Sequence, residues 1–303
     1  MARAEVKVET GGKVGATALE VLANIDAMQL AMDQATVADP FGLSEITAIH
    51  RRLMERTINA ARIAGQVRTG QNWIGGNDYN PCGADFVPPP PEEVGDLLDD
   101  LCAAINDERL PPLVQAAVVH AQFETIHPFA DGNGRAGRAL IHAVLKRRRV
   151  APAYVPPISV VLAGERDRYI EGLTRFRGDR VGDWIEQFAA AALRAARLAA
   201  AYLGEVRRLN AAWRAKLKSR PPPPRSDAAA WTLIDLLPAY PVITAPVAAA
   251  ACGRSKPQVY QAIEQLQTAG VLVPLSTSRR NRSWEADGLL DLLERLEAGQ
   301  LPP

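Results

Sequence analysis

Two apolar helical runs, at about residues 113–126 and 133–149, are separated by one break: His127-Pro128-Phe129-Ala130-Asp131-Gly132-Asn133-Gly134. A chain with this pattern folds as two helices joined by a short loop, with a histidine ending the first and Gly-Asn-Gly opening the second. Glycines at a helix N-terminus let backbone N–H groups approach a ligand closely, and the helix dipole favours an anion there.

The second helix begins with Arg135 and Arg138. Three residues apart, they lie about 60° apart around the axis, so both can face one anion. The loop carries a single carboxylate, Asp131. A lone carboxylate beside phosphates is the usual way to hold Mg²⁺, which keeps several waters. A histidine that titrates near neutrality suits removal of a proton from an attacking hydroxyl. The residues therefore read as a nucleotide-phosphate cradle with a general base.

The stretch from His127 to Arg138 resembles the motif of the Fic family, H-x-F-x-(D/E)-G-N-G-R-x-x-R, and matches it at every specified position. Upstream, Arg68, Gln71-Asn72-Trp73-Ile74-Gly75-Gly76 and Phe86-Val87-Pro88-Pro89-Pro90 look like the flap of that family and its exit, and His120-Ala121-Gln122-Phe123-Glu124 looks like the helix leading into the motif. The likeness covers roughly residues 15–215. It implies a mainly α Fic fold, a helical bundle around the motif helix–loop–helix with a short β-hairpin flap.

The resemblance also implies roles. His127 deprotonates a hydroxyl of a protein target, which attacks the α-phosphorus of ATP, and pyrophosphate leaves. Asp131 holds Mg²⁺. Gly132, Asn133 and Gly134 form the anion-binding turn, with the Asn133 side chain near the α-phosphate. Arg135 and Arg138 bind the outer phosphates, Arg138 also serving catalysis. Phe129 anchors the loop, and the flap residues Trp73, Ile74 and Gly75 pair with an extended segment of the target. Gly134 favours AMP transfer, since the phosphate-transferring branch resembles this motif but carries Lys there. Many relatives carry an inhibitory [S/T]-x-x-x-E-[G/N] helix whose glutamate meets the second arginine. No such motif occurs here: Glu9 and Glu20 lack its flanking residues, and Asp167 stands four residues before Glu171-Gly172. Arg138 is then expected to lack an intramolecular glutamate partner, and control in trans, a shortened chain or another device stays open.

Elsewhere, periodicity predicts helices around Leu22–Leu30, Leu43–Ile58, 91–106, 165–176 and 180–217, with Trp73-Ile74 and Phe86-Val87 as the extended arms of the flap. Four consecutive prolines, Pro221 to Pro224, read as a semi-rigid spacer. The expected division is 1–218, a Fic domain with helical extensions, 219–226, a Pro-rich linker, and 227–303. The last part resembles a small winged helix-turn-helix domain: helices at Ala228–Leu237, Ala245–Ala251 and Ser255–Ala269, and strands at Val271–Val273 and Ser283–Glu285. Arg254 and Lys256 at a helix start, and Arg279, Arg280 and Arg282 in the wing, leave DNA or protein contact open.

Other features carry less. His120 and His142 read as structural, His50 as a surface residue beside Arg51-Arg52, and Lys146-Arg147-Arg148-Arg149 as a solvated helix end suited to the dipole. Gly11-Gly12-Lys13 lacks the spacing of a Walker loop. The formal net charge is +1, and three scattered cysteines suggest neither a zinc site nor a disulfide framework. With no apolar run of about 18 residues and no signal-peptide core, a soluble, cytoplasmic protein without a membrane partner is expected. Self-modification and a homodimer stay open. Two other classes compete with AMP transfer: a Fic-fold enzyme of other specificity, including AMP removal, and a DNA-binding regulator with the Fic portion as sensor.

Overall fold

The computed structural model describes residues 16–55, 57, 59–77, 79–151, 156–275 and 282–301, without the side chains of 16–23, 36 and 297. Glu9, Arg279 and Arg280 lie outside the described residues. The chain is mainly helical and divides into two compact units, Ala16–Ala196 and a second from Arg197 onward. The four-proline run lies within the second unit.

In the first unit, α1 (Ala16–Val37), α2 (Leu43–Met54), the single turn α3 (Ala60–Ile63), α4 (Val94–Asn106), α5 (Pro112–Ile126) and α6 (Asn133–Arg147) precede α7 (Ile158–Gly164) and α8 (Arg166–Arg177). The helix α9 (Val181–Lys218) begins here. α5 and α6 form the centre: α1 and α2 pack on α6, α4 and α8 on α5. Their sequences explain the placement. α4 buries Val94, Leu98, Leu101 and Ile105, one stripe at helical spacing. α5 buries residues around nearly its whole circumference, as an internal helix must. Pro112 opens α5 at a position where the missing N–H costs nothing. From α9, Trp184 is fully buried and its indole N–H donates to Ala117 O at 2.8 Å, tying α9 to the middle of α5.

Three expectations need correcting. His50 is fully buried, because it continues the apolar face of Ile46, Ile49 and Leu53 on α2. The basic end of α6 is not simply solvated either. Arg147 donates to Ala38 O and Asn106 Oδ1, and Arg148 to Leu110 O, Glu108 O and Gln115 Oε1, so both hold neighbouring loops. α2 ends at Met54, short of Ile58.

In the second unit, the rest of α9 is followed by α10 (Ala229–Leu236), β1 (Val242–Thr244), α11 (Ala245–Cys252), α12 (Lys256–Thr268), β2 (Leu272–Pro274), β3 (Ser283–Ala286) and α13 (Leu289–Glu297). The strands form an antiparallel sheet in the order β1-β3-β2, with Val242 opposite Glu285 and Leu272 opposite Ala286. Periodicity missed β1 and α13. Thr244 caps α11 by accepting from Val247 N–H, and Gln258 Oε1 accepts from both N–H and Oγ–H of Ser255 at the start of α12. The core gathers Trp213, Leu217, Leu233, Ile263, Leu266 and Trp284. Arg282 lies over the Trp284 ring, 5.1 Å from its centroid.

Candidate active site

The loop between α5 and α6 is held by groups that leave its outer face free. His127, just past α5, takes a left-handed conformation at φ 49°, with its N–H bonded to Phe123 O at 2.9 Å. Phe129 is fully buried and stacks on the imidazole of His50 with centroids 3.7 Å apart. His50 Nε2–H donates to Asp131 O at 2.9 Å, and Nδ1 accepts from Gly65 N–H at 3.0 Å. Both His50 nitrogens are thus used in the neutral form, and burial pushes its pKa down to about 4. Gly132 has φ +78°, and a Cβ there would meet Met54 Sδ at 2.9 Å, so no other residue fits the turn.

Asn133 is 2% exposed. Its Oδ1 accepts from Phe129 N–H at 2.8 Å, while its Nδ2 donates to Phe129 O at 2.7 Å and reaches His127 Nδ1 at 3.2 Å. Both polar ends of the side chain are thus bonded within the loop. Arg68, 6% exposed, clamps the same loop from outside it. It donates to the carbonyls of His127 at 2.9 Å, Gly70 at 3.1 Å, Pro89 at 2.5 Å and Ile126 at 3.3 Å.

The flap stands beside this loop. Ile74 and Phe86 pair through Ile74 N–H to Phe86 O at 2.9 Å and Phe86 N–H to Ile74 O at 3.3 Å, which places the expected arms in register. Gly75, at φ +77°, turns the chain just after Ile74, so the pairing is confined to Ile74 with Phe86 and Asp85. Arg177 from α8 lies over the Phe86 ring, 3.5 Å from its centroid.

A cavity of about 460 Å³ opens among flap, loop and α8. Of the residues singled out from sequence, Ile74, Gly75, His127, Gly134 and Arg138 line it. Trp73, Asp131, Gly132, Asn133 and Arg135 are not among its lining residues. Asp131 is at the loop surface, its Oδ1 accepting from Gly132 N–H at 2.6 Å and its Oδ2 3.9 Å from Arg135 Nη2. Arg135 also points Nη2 toward Met54 Sδ at 3.4 Å.

Burial holds His127 down to about 4, with Arg68 and Arg177 acting the same way and Asp131 opposing. The ring is therefore uncharged at neutral pH. Three further wall groups were given no role in the sequence reading. Arg177 and Tyr169 come from α8, which only tertiary packing brings here. Glu124, 6% exposed, lies one helical turn before His127, a spacing that could have flagged it. His120 Nδ1–H donates to Gly137 O at 3.1 Å and its Nε2 accepts from Tyr169 O–H at 3.0 Å, a structural role as expected.

The fold and site together define a helical domain in which a histidine-ended helix and a glycine-opened helix meet at one nucleotide-sized cavity. Residues 40–145 match the model of the Fic/DOC family. It is 33% identical over 122 residues to the protein adenylyltransferase fic-1 of Caenorhabditis elegans, covering 39% of this chain and 22% of that protein. It is 32% identical over 130 residues to the protein adenylyltransferase Fic of Nematostella vectensis, covering 42% of this chain and 27% of that protein. The matched stretch is thus about a quarter of those relatives' length or less. Among solved structures, a Fic family protein from Desulfovibrio desulfuricans shares the fold with a TM-score of 0.55 at 20% identity, over 94% of this chain and 81% of that one. A Fic domain containing signaling protein from Bacteroides thetaiotaomicron does so with 0.53 at 22% identity, over 65% and 77%. No helix of the described residues is long and apolar enough to cross a membrane.

Proposed function

We propose that the chain is a protein adenylyltransferase that moves AMP from ATP to a Ser, Thr or Tyr hydroxyl of a protein target. The observation that carries this reading is that His127, Gly134 and Arg138 share the wall of one cavity. The names of the relatives support it. In the step, a bond forms between the target oxygen and the α-phosphorus, and the bond from that phosphorus to the bridging oxygen of pyrophosphate breaks. His127 takes the hydroxyl proton. The N–H groups opening α6 receive phosphate oxygens, and Arg138, with Arg135 at the loop side, neutralises the leaving pyrophosphate. Trp73 and Gly75 present backbone groups to an extended segment of the target beside Ile74.

A divalent cation fits here only together with substrate. Asp131 offers one carboxylate at an open loop, and no cluster of three or more ligand side chains exists among the described residues. That is the donor set Mg²⁺ accepts when phosphates and water complete its shell. Bound there, it would neutralise phosphate charge. For residues 227–303 we propose a winged-helix-like module, and salt-dependent binding of duplex DNA would separate a DNA contact from a protein contact.

The test is label transfer. With Mg²⁺, ATP labelled at the α-phosphorus should mark protein, ATP labelled at the γ-phosphorus should not, and His127→Ala should lose the transfer while still binding ATP. Equal labelling by wild type and His127→Ala would overturn the assignment.

A further inference from the structure

Glu124 is left unused by that chemistry, and its environment is unusual. Its carboxyl sits in the cavity wall, yet its Oε1 is buried and accepts no hydrogen bond. The atom lies against the first turns of α6: a Cβ built on Gly137 would stand 2.5 Å from it, and one on Gly134 4.0 Å. Arg138 and Arg177 line the same cavity, and neither forms an ion pair with Glu124 among the described residues. Glu124 thus lines the space into which an anion at Gly134 and Arg138 must fit, with one carboxyl oxygen buried behind it and left without a partner.

We infer that Glu124 is a contact residue of the bound polyphosphate, meeting a phosphate oxygen through its carboxyl proton, so that nucleotide binding takes up a proton from solution. This rests on reading the cavity as the nucleotide site. An ionised carboxylate there would repel the anion, whereas a protonated one donates a short bond to it. Burial already pushes Glu124 up to about 7 against the pull of Arg138 and Arg177. An anion that neutralises those two arginines moves it further in the same direction.

The surrounding groups leave Glu124 as the wall group that changes charge near neutrality. On its own helix and just past its end, His120 and His127 are held to about 4 by burial and stay uncharged above pH 6. From α8, Tyr169 is pushed up by burial and by Glu124, so it stays uncharged, while Arg166 and Arg177 are cations. α6 contributes Arg138, and the flap contributes one carboxyl, Asp85, which a Glu124 variant leaves in place.

The test is calorimetric titration of the full chain with ATP and Mg²⁺ at pH 7.5, in buffers of different ionisation enthalpy, for wild type and Glu124→Gln. Wild type should take up between a half and one proton more per nucleotide than the variant, the nucleotide's own titration cancelling in the difference. At pH 8 the variant, whose amide also donates, should bind about tenfold tighter than wild type, the factor for one proton across one pH unit. Equal proton uptake, or weaker binding by the variant at pH 8, overturns the inference while leaving the nucleotide site standing. If wild type binds no ATP, both readings fall. Should Glu124→Gln lose its thermal transition, the wild-type pH profile decides. Affinity must weaken above neutrality beyond what ATP alone contributes, and a flat profile overturns the inference.

Discussion

The side-chain nitrogen of Asn72 lies 3.0 Å from Nδ1 of His127. The same nitrogen donates to Phe129 O at 3.0 Å, which fixes the amide's orientation, and Asn133 aims a second amide nitrogen at Nδ1. Nδ1 is therefore an acceptor, and the neutral ring carries its proton on Nε2. For Nε2 to accept a target's proton, the ring proton must first move to Nδ1, which requires Asn72 to turn or withdraw with the flap. Asn72 Oδ1 is buried without a partner, so the amide is not fully satisfied as it stands. Replacing Asn72 by Asp puts an acceptor at Nδ1. Nitrogen-15 spectra should show an Nε2–H ring in the wild type and an Nδ1–H ring in Asn72→Asp, with the pKa raised from about 4 toward its ordinary value. Identical spectra would show that Asn72 does not set the tautomer.

Arg68 is a second restraint on the same histidine, acting on backbone rather than ring. Its guanidinium reaches carbonyls on both sides of the loop, at His127 and Gly70 among others. A lysine carries the charge but cannot span that fork. Arg68→Lys should lose about 2–4 kcal/mol of stability in urea titrations, since several buried carbonyls lose a charged donor. Transfer should fall by roughly 10²-fold as His127 loses its placement. A variant with full activity and an unchanged midpoint would show the clamp to be dispensable.

Much of this site was legible in the sequence because its parts are contiguous: His127 through Arg138 is one loop and one helix start, and local spacing fixes their juxtaposition. The helix α4 was legible from its periodic stripe, and α5 and α6 from their long apolar runs on either side of the loop. His50 was misread from its neighbours Arg51 and Arg52, although its spacing from Ile46 and Leu53 put it on the buried face. Arg177 and Tyr169 gave no signal, since only the packing of α8 on α5 brings them to the cavity. The short strand β1 was missed because its partner, β3, lies about 40 residues away and three residues show no alternation.

Burial sets two opposing pH dependences. His50 and His120 are fully buried and held to about 4, below the unfolded value, so their contribution is present above pH 6.5 and lost as pH falls toward 4. Each can weaken the fold by up to about 3 kcal/mol. Glu124 is raised to about 7, so its contribution is present below pH 4.5 and lost as pH rises toward 7. Thermal melts from pH 8 to 5 should show net acid destabilisation, because the histidines outnumber the carboxyl. Glu124→Gln should melt higher than wild type at pH 8 and lose stability more steeply toward pH 5. A variant that tracks the wild-type curve in parallel would mean that the carboxyl is not titrating in the folded state.

Gly137 marks the closest approach of α5 and α6. An exposed helical glycine replaced by alanine gains about 1 kcal/mol. Here the added Cβ would meet Glu124 Oε1 at 2.5 Å, the Phe123 ring at 3.1 Å and His120 Nδ1 at 3.3 Å, all on α5. Each of those groups is buried and none can simply swing into solvent. The helices must separate, stretching the bond from His120 to Gly137 O. Gly137→Ala should therefore lose about 1–3 kcal/mol in chemical denaturation rather than gain one. Gly134→Ala is the matched comparison. Its Cβ would meet only Arg138 Nη1 at 3.3 Å and Glu124 Oε1 at 4.0 Å, so the fold should hold. That methyl group would instead stand beside the guanidinium that lines the cavity, and ATP affinity should fall while the denaturation midpoint stays within about 0.5 kcal/mol of wild type. If Gly137→Ala proves as stable as wild type, α5 and α6 are not held at contact distance by that glycine.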